Sequence, residues 1–130
     1  MVLVDTSVWI DYFNGKNTAQ TEKLDILLSS TIVIVGDLIL TEILQGFRAD
    51  KDYRFAKQLL TELELISLCN VSYGIKSANN YRKLRKQGIT IRKTIDCLIA
   101  TYCIENKLPL LYSDKDFEPF TKYLNLKSAL

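Results

Sequence analysis

The feature that most constrains this chain is a series of short, largely apolar runs, each followed by a helical segment. "MVLVDTSVWIDYF" is the first instance. Val2, Leu3 and Val4 carry no alternating polar positions, and a helix bearing Trp9, Ile10 and Phe13 starts just beyond them. Ile32 to Val35 is a second apolar strand, Leu65 to Leu68 a short third and Pro109 to Tyr112 a fourth. A strand that is apolar at every position has both of its faces covered. No hairpin signal joins any two of these runs, and parallel strands need helical crossovers. The pattern predicts the α/β class: a three-layer α/β/α sandwich around a short parallel sheet. The stretch between residues 37 and 107 holds little strand, which is less typical of a long Rossmann alternation.

Local signals mark the helices. Asn14-Gly15 reads as a turn after the first one. Leu24, Ile26, Leu27 and Leu28 give the second its buried side. Asp37 is expected to cap a helix in which Leu40, Ile43, Leu44 and Phe47 recur at i, i+3, i+4 and i+7. Residues 50–64 form another, with Phe55, Leu59, Leu60 and Leu63 on one side. A helix from about 72 to 87 is stopped by Gly88. One more spans about 93 to 106, and a short terminal helix follows Ser113-Asp114. The 130 residues contain no linker, repeat or low-complexity segment, so one domain over 1–130 is expected.

Composition matters chiefly through one zero: the chain has no histidine. That removes Ser-His-Asp and Cys-His catalysis, imidazole acid–base chemistry and most zinc sites. A metal here is held by oxygen ligands, which points to magnesium or manganese. Cys69, Cys97 and Cys103 form no paired motif and imply reduced thiols in a cytoplasm. No apolar run approaches the ~20 residues of a membrane span, and Asp5 interrupts the first apolar stretch, which speaks against a signal peptide. A net charge of +2 selects no partner.

The acids carry more. Two strands end in a small hydroxyl residue and an aspartate: Asp5-Thr6-Ser7 and Ser113-Asp114. Ligands of open α/β sheets bind just beyond the carboxyl ends of strands. Two carboxylates there raise the cost of ionising one another, and a divalent cation turns that repulsion into binding energy. The competing reading of Asp5 is a plain helix cap. On the helix of residues 93–106 the polar positions Thr94, Thr101 and Glu105 form one stripe, and Asp96 lies far from it among apolar neighbours. A carboxylate in such surroundings is protonated, hydrogen-bonded or paired with a cation. Its alternative role is a first-turn acid favoured by the helix dipole. Glu42 lies off the apolar stripe of its helix, which suits a crevice and bulk water equally.

"VLVDTSVWIDYF", Glu42 in "LILTEILQGF" and Asp96 in "TIDCLIATYCIENKLPLLYSDKDF" together resemble the PIN-domain family. More narrowly they resemble the VapC-type toxins, the ribonuclease half of type II toxin–antitoxin pairs. The resemblance runs from residue 2 to about 117, while residues 48–80 carry no motif of it. It implies a metal-dependent endoribonuclease in which Asp5, Glu42, Asp96 and Asp114 form an acidic pocket for one or two Mg²⁺ or Mn²⁺ ions. Ser7, with Thr6 beside it, fits the small polar residue next to the first acid. Asp116 also lies in the final motif, with Asp114 taken as the fourth acid. The resemblance further implies an RNA substrate, a homodimer and a small antitoxin protein. With no histidine, the expected nucleophile is water activated by the cation, leaving a 5′-phosphate and a 3′-hydroxyl.

From Leu65 to Ile95 there is no acid, while Lys76, Arg82, Lys83, Arg85, Lys86, Arg92 and Lys93 are basic. Arg82, Lys83, Arg85, Lys86, Arg92 and Lys93 sit just before Asp96, where they suit the phosphates flanking a cut site. A solvated helix end has the same composition. Trp9, Tyr12 and Phe13 are assigned to packing rather than base stacking. A receiver domain needs a late lysine and a central acceptor aspartate that are absent here. A haloacid-dehalogenase-type phosphatase needs an aspartate where this chain has Ser7. The remaining alternative is a catalytically silent PIN-like module that binds RNA or protein, against which the full set of acids argues.

Overall fold

A computed structural model describes residues 1–130. Its sheet has four parallel strands in the order β3-β2-β1-β4: β1 (Val2–Val4), β2 (Val33–Gly36), β3 (Glu64–Ile66) and β4 (Leu110–Leu111). Leu3 pairs with Ile34 on one side and Leu110 on the other. β1 is therefore central, which is why every one of its residues is apolar and buried. Residues 127–129 run along the free edge of β4, where Leu110 donates its N–H to Lys127 and accepts one from Ala129.

The connections are helical: α1 (Thr6–Phe13), α2 (Ala19–Ser30), α3 (Asp37–Gln45), α4 (Asp50–Thr61), α5 (Val71–Lys86), α6 (Thr94–Glu105) and α7 (Glu118–Tyr123), the last after a 3₁₀ turn at Lys115–Phe117. α1 packs on α2 and α3, and α3 on α4, while α5 packs on α6. Together these helices flank the sheet, as the apolar strands require. One hydrophobic core of 25 buried residues joins the layers, with Leu3, Val4, Trp9, Ile99, Leu110 and Phe117 wholly inaccessible. No helix is long and apolar enough to cross a membrane.

Several expected details differ. β2 runs one residue later than read, because Ile32 is exposed while Gly36 pairs with Ile66. Gly36 has to be glycine, since a Cβ there would collide with the buried Leu68 side chain. β3 stops at Ile66, and Leu68 beyond it is turned into the core. Asp37 is the first residue of α3 rather than its cap, and its Oδ1 accepts N–H bonds from Leu38 (2.8 Å) and Leu68 (3.0 Å). It therefore fastens the chain beyond β3 to α3. Ile26 and Phe55 face solvent, so the buried side of α2 is centred on Leu24 and that of α4 on Ala56 and Leu60. Thr101, expected on a polar stripe, is buried and accepts a hydrogen bond from Asn80 of α5 at 3.0 Å. That bond satisfies two polar groups inside the closest helix pair. Gly15 and Gly88 both adopt positive φ, +70° and +81°, in the turns assigned to them.

Candidate active site

β1 and β4 are parallel neighbours, so their carboxyl ends open at one place. The Asp5 N–H donates to the Leu111 carbonyl at 2.9 Å and ties the two ends together. Asp5 is buried and caps α1. Its Oδ2 accepts both the Ser7 N–H (3.2 Å) and the Ser7 hydroxyl (2.6 Å). Ser113, at the end of β4, donates in turn to Ser7 Oγ at 3.2 Å. Thr6 donates to Glu42 Oε1 at 2.8 Å, which draws α3's carboxylate to the mouth of β1. The two hydroxyls after Asp5 thus have separate tasks: Ser7 orients Asp5, and Thr6 orients Glu42. Ser113 was legible in sequence only as a hydroxyl residue beside an acid at a second strand end, and the structure shows that it completes the chain to Ser7.

Asp96 enters from the first turn of α6. It is only 6% exposed, and its Oδ2 is buried with no hydrogen-bond partner. A charged atom in that state is costly unless something else satisfies it. Burial is the main force that pushes Asp96 up to about 7, followed by the negative charge of Asp5; Lys93 acts in the opposite sense, and Asp114 and Glu42 add further repulsion. Burial also raises Asp5 above the ordinary range, against the pull of its bonds to Ser7. Carboxylate oxygens of Asp96, Asp114 and Asp116 all lie within 4.8 Å of one another. Asp114 caps the 3₁₀ turn through Oδ1, which accepts from the Asp116 N–H at 2.9 Å. Both oxygens of Asp116 accept from Arg92 Nη2, at 3.1 and 3.0 Å.

Asp96, Asp114 and Asp116 therefore stand together, and Asp5 and Glu42 lie near enough for their charge to act on Asp96. The donors are hard oxygens, they repel one another, and a buried oxygen is left unsatisfied at the centre. A hard divalent cation fits such a set.

The basic residues do not form a single patch. Arg82 and Arg85 line a cleft with Tyr81, Thr94 and Leu98, whereas Lys83 and Lys86 line another with Tyr123 and Asn125. Arg92 is engaged by Asp116, and the charge of Lys93 acts on Asp96 without an ion pair. Trp9 stacks on Phe13 at 5.9 Å between ring centroids and meets Tyr12 edge-on, while Tyr12 donates its hydroxyl to Asp25. These aromatics pack, as expected.

The raised Asp96 has a consequence for the metal-free protein. An unfolded Asp96 gives up its proton near 3.8 and the folded one near 7, so folding takes up a proton between those values. The associated stability is complete below the lower value and lost as pH rises through the upper one. Chelator-treated protein should be less stable at pH 8 than at pH 5, by on the order of 2 kcal/mol with water reaching the crevice. Urea melts at the two pH values measure this, and in Asp96→Asn the difference should shrink to what other groups contribute.

A parallel α/β domain with acids gathered at adjoining strand ends is the class that fold and site define. The PIN domain family model matches residues 2–122, and the chain belongs to that family. Among curated relatives it is similar to Ribonuclease VapC11 of Mycobacterium tuberculosis and to a VapC ribonuclease of Mycobacterium bovis. Each is 29% identical over 131 residues, covering 99% of this chain and 98% of the relative. Among solved structures, VapBC2 from Rickettsia felis bound to a promoter DNA fragment superposes with a TM-score of 0.77 at 18% identity, covering 98% and 97% of the two chains. VapBC-1 from nontypeable Haemophilus influenzae gives 0.72 at 20% identity, covering 98% and 96%. VapC20 of M. tuberculosis, described as a sarcin-ricin loop cleaving toxin, gives 0.63 at 16% identity, covering 91% and 93%.

Proposed function

We propose that this chain is a VapC-type toxin: one domain over residues 1–130 that hydrolyses RNA phosphodiester bonds with Mg²⁺ or Mn²⁺ held by Asp5, Glu42, Asp96 and Asp114. The observation that carries the reading is the unpartnered Oδ2 of Asp96, buried where the other carboxylates converge. The ribonuclease relatives, matched along nearly their whole length, support the activity.

A divalent cation, when bound, supplies Lewis acidity toward water and toward the scissile phosphate. The protein's own groups set up that chemistry. Ser7 fixes Asp5 through Oδ2, with Ser113 bracing Ser7 from the neighbouring strand. Thr6 holds one oxygen of Glu42. Asp96 stands on a helix whose next residues are core, so its position is set by packing. Lys93 places a positive charge beside these acids, where a substrate phosphate has to approach. Arg82, Lys83, Arg85 and Lys86 are exposed on α5 and suit more distant phosphates of the same strand, divided between two clefts.

The solved VapBC complexes support a small antitoxin as partner. An apolar cleft between α1 and α3, lined by Ile10, Phe13, Ile43 and Phe47, offers a protein a hydrophobic seat. A homodimer and a cytoplasmic location complete the reading.

Product ends test the chemistry. Cleavage of a labelled RNA should leave 5′-phosphate and 3′-hydroxyl termini, because attack by water does not use the 2′-hydroxyl. Termini bearing a 2′,3′-cyclic phosphate would contradict it.

A further inference from the structure

Asp116 is the one acid of the group held in a salt bridge. Arg92 Nη2 sits between its two oxygens at 3.0 and 3.1 Å. The pair joins a loop residue to the 3₁₀ turn, and both are set by the core: Ile91, immediately before Arg92, is 6% exposed, and Phe117, immediately after Asp116, is wholly buried. Arg92 itself is 77% exposed along its side chain, so it reaches over the rim of the crevice without supporting the fold. Asp116 is nonetheless close enough to Asp96 and Asp114, within 4.8 Å between oxygens, to share an ion with them.

On the reading that the crevice holds a divalent cation, we infer that Arg92, by occupying Asp116, limits it to a single ion. A two-ion centre places its cations about 3.5–4 Å apart and needs carboxylates able to serve both. Asp5 and Glu42 each commit one oxygen to a hydroxyl, and Asp114 commits one to the Asp116 N–H. Asp116 alone has both oxygens engaged by a guanidinium, so it has no free oxygen to offer a second ion. Charge points the same way. Arg92 and Lys93 already offset two of the five carboxylates, and one dication offsets two more. The single negative charge that remains is too little to hold a second dication beside a fixed guanidinium. Arg92 therefore acts as a built-in substitute for the second metal.

The test counts Mn²⁺ bound to full-length, chelator-stripped protein, by isothermal titration and by loss of the free Mn²⁺ electron paramagnetic resonance signal. Wild type should bind one ion. Arg92→Gln should bind two, and the added ion should vanish in Arg92→Gln combined with Asp116→Asn. Arg92→Lys, which keeps the charge, should remain at one. Circular dichroism should be unchanged in all, since Arg92 is exposed. Two ions in wild type, or one in Arg92→Gln, overturns the inference while leaving the metal centre intact. No ion in wild type removes the centre itself, and the inference with it.

Discussion

Asp96→Asn should cut RNA at least about 100-fold more slowly than wild type, the scale expected when a group that holds the reactive centre is lost. The same substitution should make the metal-free protein more stable at pH 8. At that pH the wild-type carboxylate is ionised, buried and surrounded by Asp5, Asp114 and Glu42, with Oδ2 unpartnered. An amide removes the charge at nearly constant volume, and so removes both the desolvation cost and the repulsion. Opposite signs for activity and stability identify a residue kept for chemistry. Rates on a labelled RNA and urea melts of stripped protein measure the two. If Asp96→Asn unfolds the chain, Asp96 serves the fold and its place in the centre is wrong.

Growth should respond as strongly. Wild-type protein expressed alone in a bacterium should arrest growth within the induction period, and Asp5→Asn at equal expression should be tolerated. Asp5 is the test position because it joins β1, α1 and the Ser7–Ser113 chain at the mouth of the crevice. The Asn side chain can still accept the capping bonds through its amide oxygen, so loss of toxicity would reflect lost charge and not a lost helix. Co-expression of a cognate small antitoxin should restore growth. A crevice that concentrates carboxylates is a natural seat for an inserted arginine from such a partner. Arg92 on Asp116 shows the same pairing within the chain. Plate counts after induction decide, and arrest by Asp5→Asn as severe as by wild type would separate toxicity from the acidic centre.

The parallel sheet was legible because β1, β2 and β4 are short, free of charged residues and never joined by a turn signal, whereas the edge strand β3 begins on the exposed Glu64. The placement of Asp5 and Asp114 followed from their lying just past the carboxyl ends of two such strands. Asp96 was legible from helical period alone, since a charge among Ile95, Cys97, Ile99 and Ala100 has no solvent to face. Glu42 was not: its helix gave only an exposed-side position, and the bond from Thr6 that draws it inward depends on how α3 packs beside α1. Ile26 and Phe55 were misplaced because α2 and α4 pack on α1 and α3, which leave part of their apolar arcs in solvent. Thr101 went astray for the converse reason, as its partner Asn80 lies on another helix, 21 residues away. The Arg92–Asp116 pair joins a loop to the 3₁₀ turn 24 residues on and has no periodic signature at all. Periodicity reports which way a side chain points, and pairing across loops is set only by the finished fold.

The most direct measurement is cleavage of RNA by purified wild-type protein stripped with EDTA and then titrated with Mn²⁺ or Mg²⁺. Stripped protein should be inactive, and activity should return as the added ion saturates the carboxylates, with no recovery in Asp5→Asn or Asp96→Asn. Undiminished cleavage by thoroughly demetallated protein would contradict a centre built on a divalent cation.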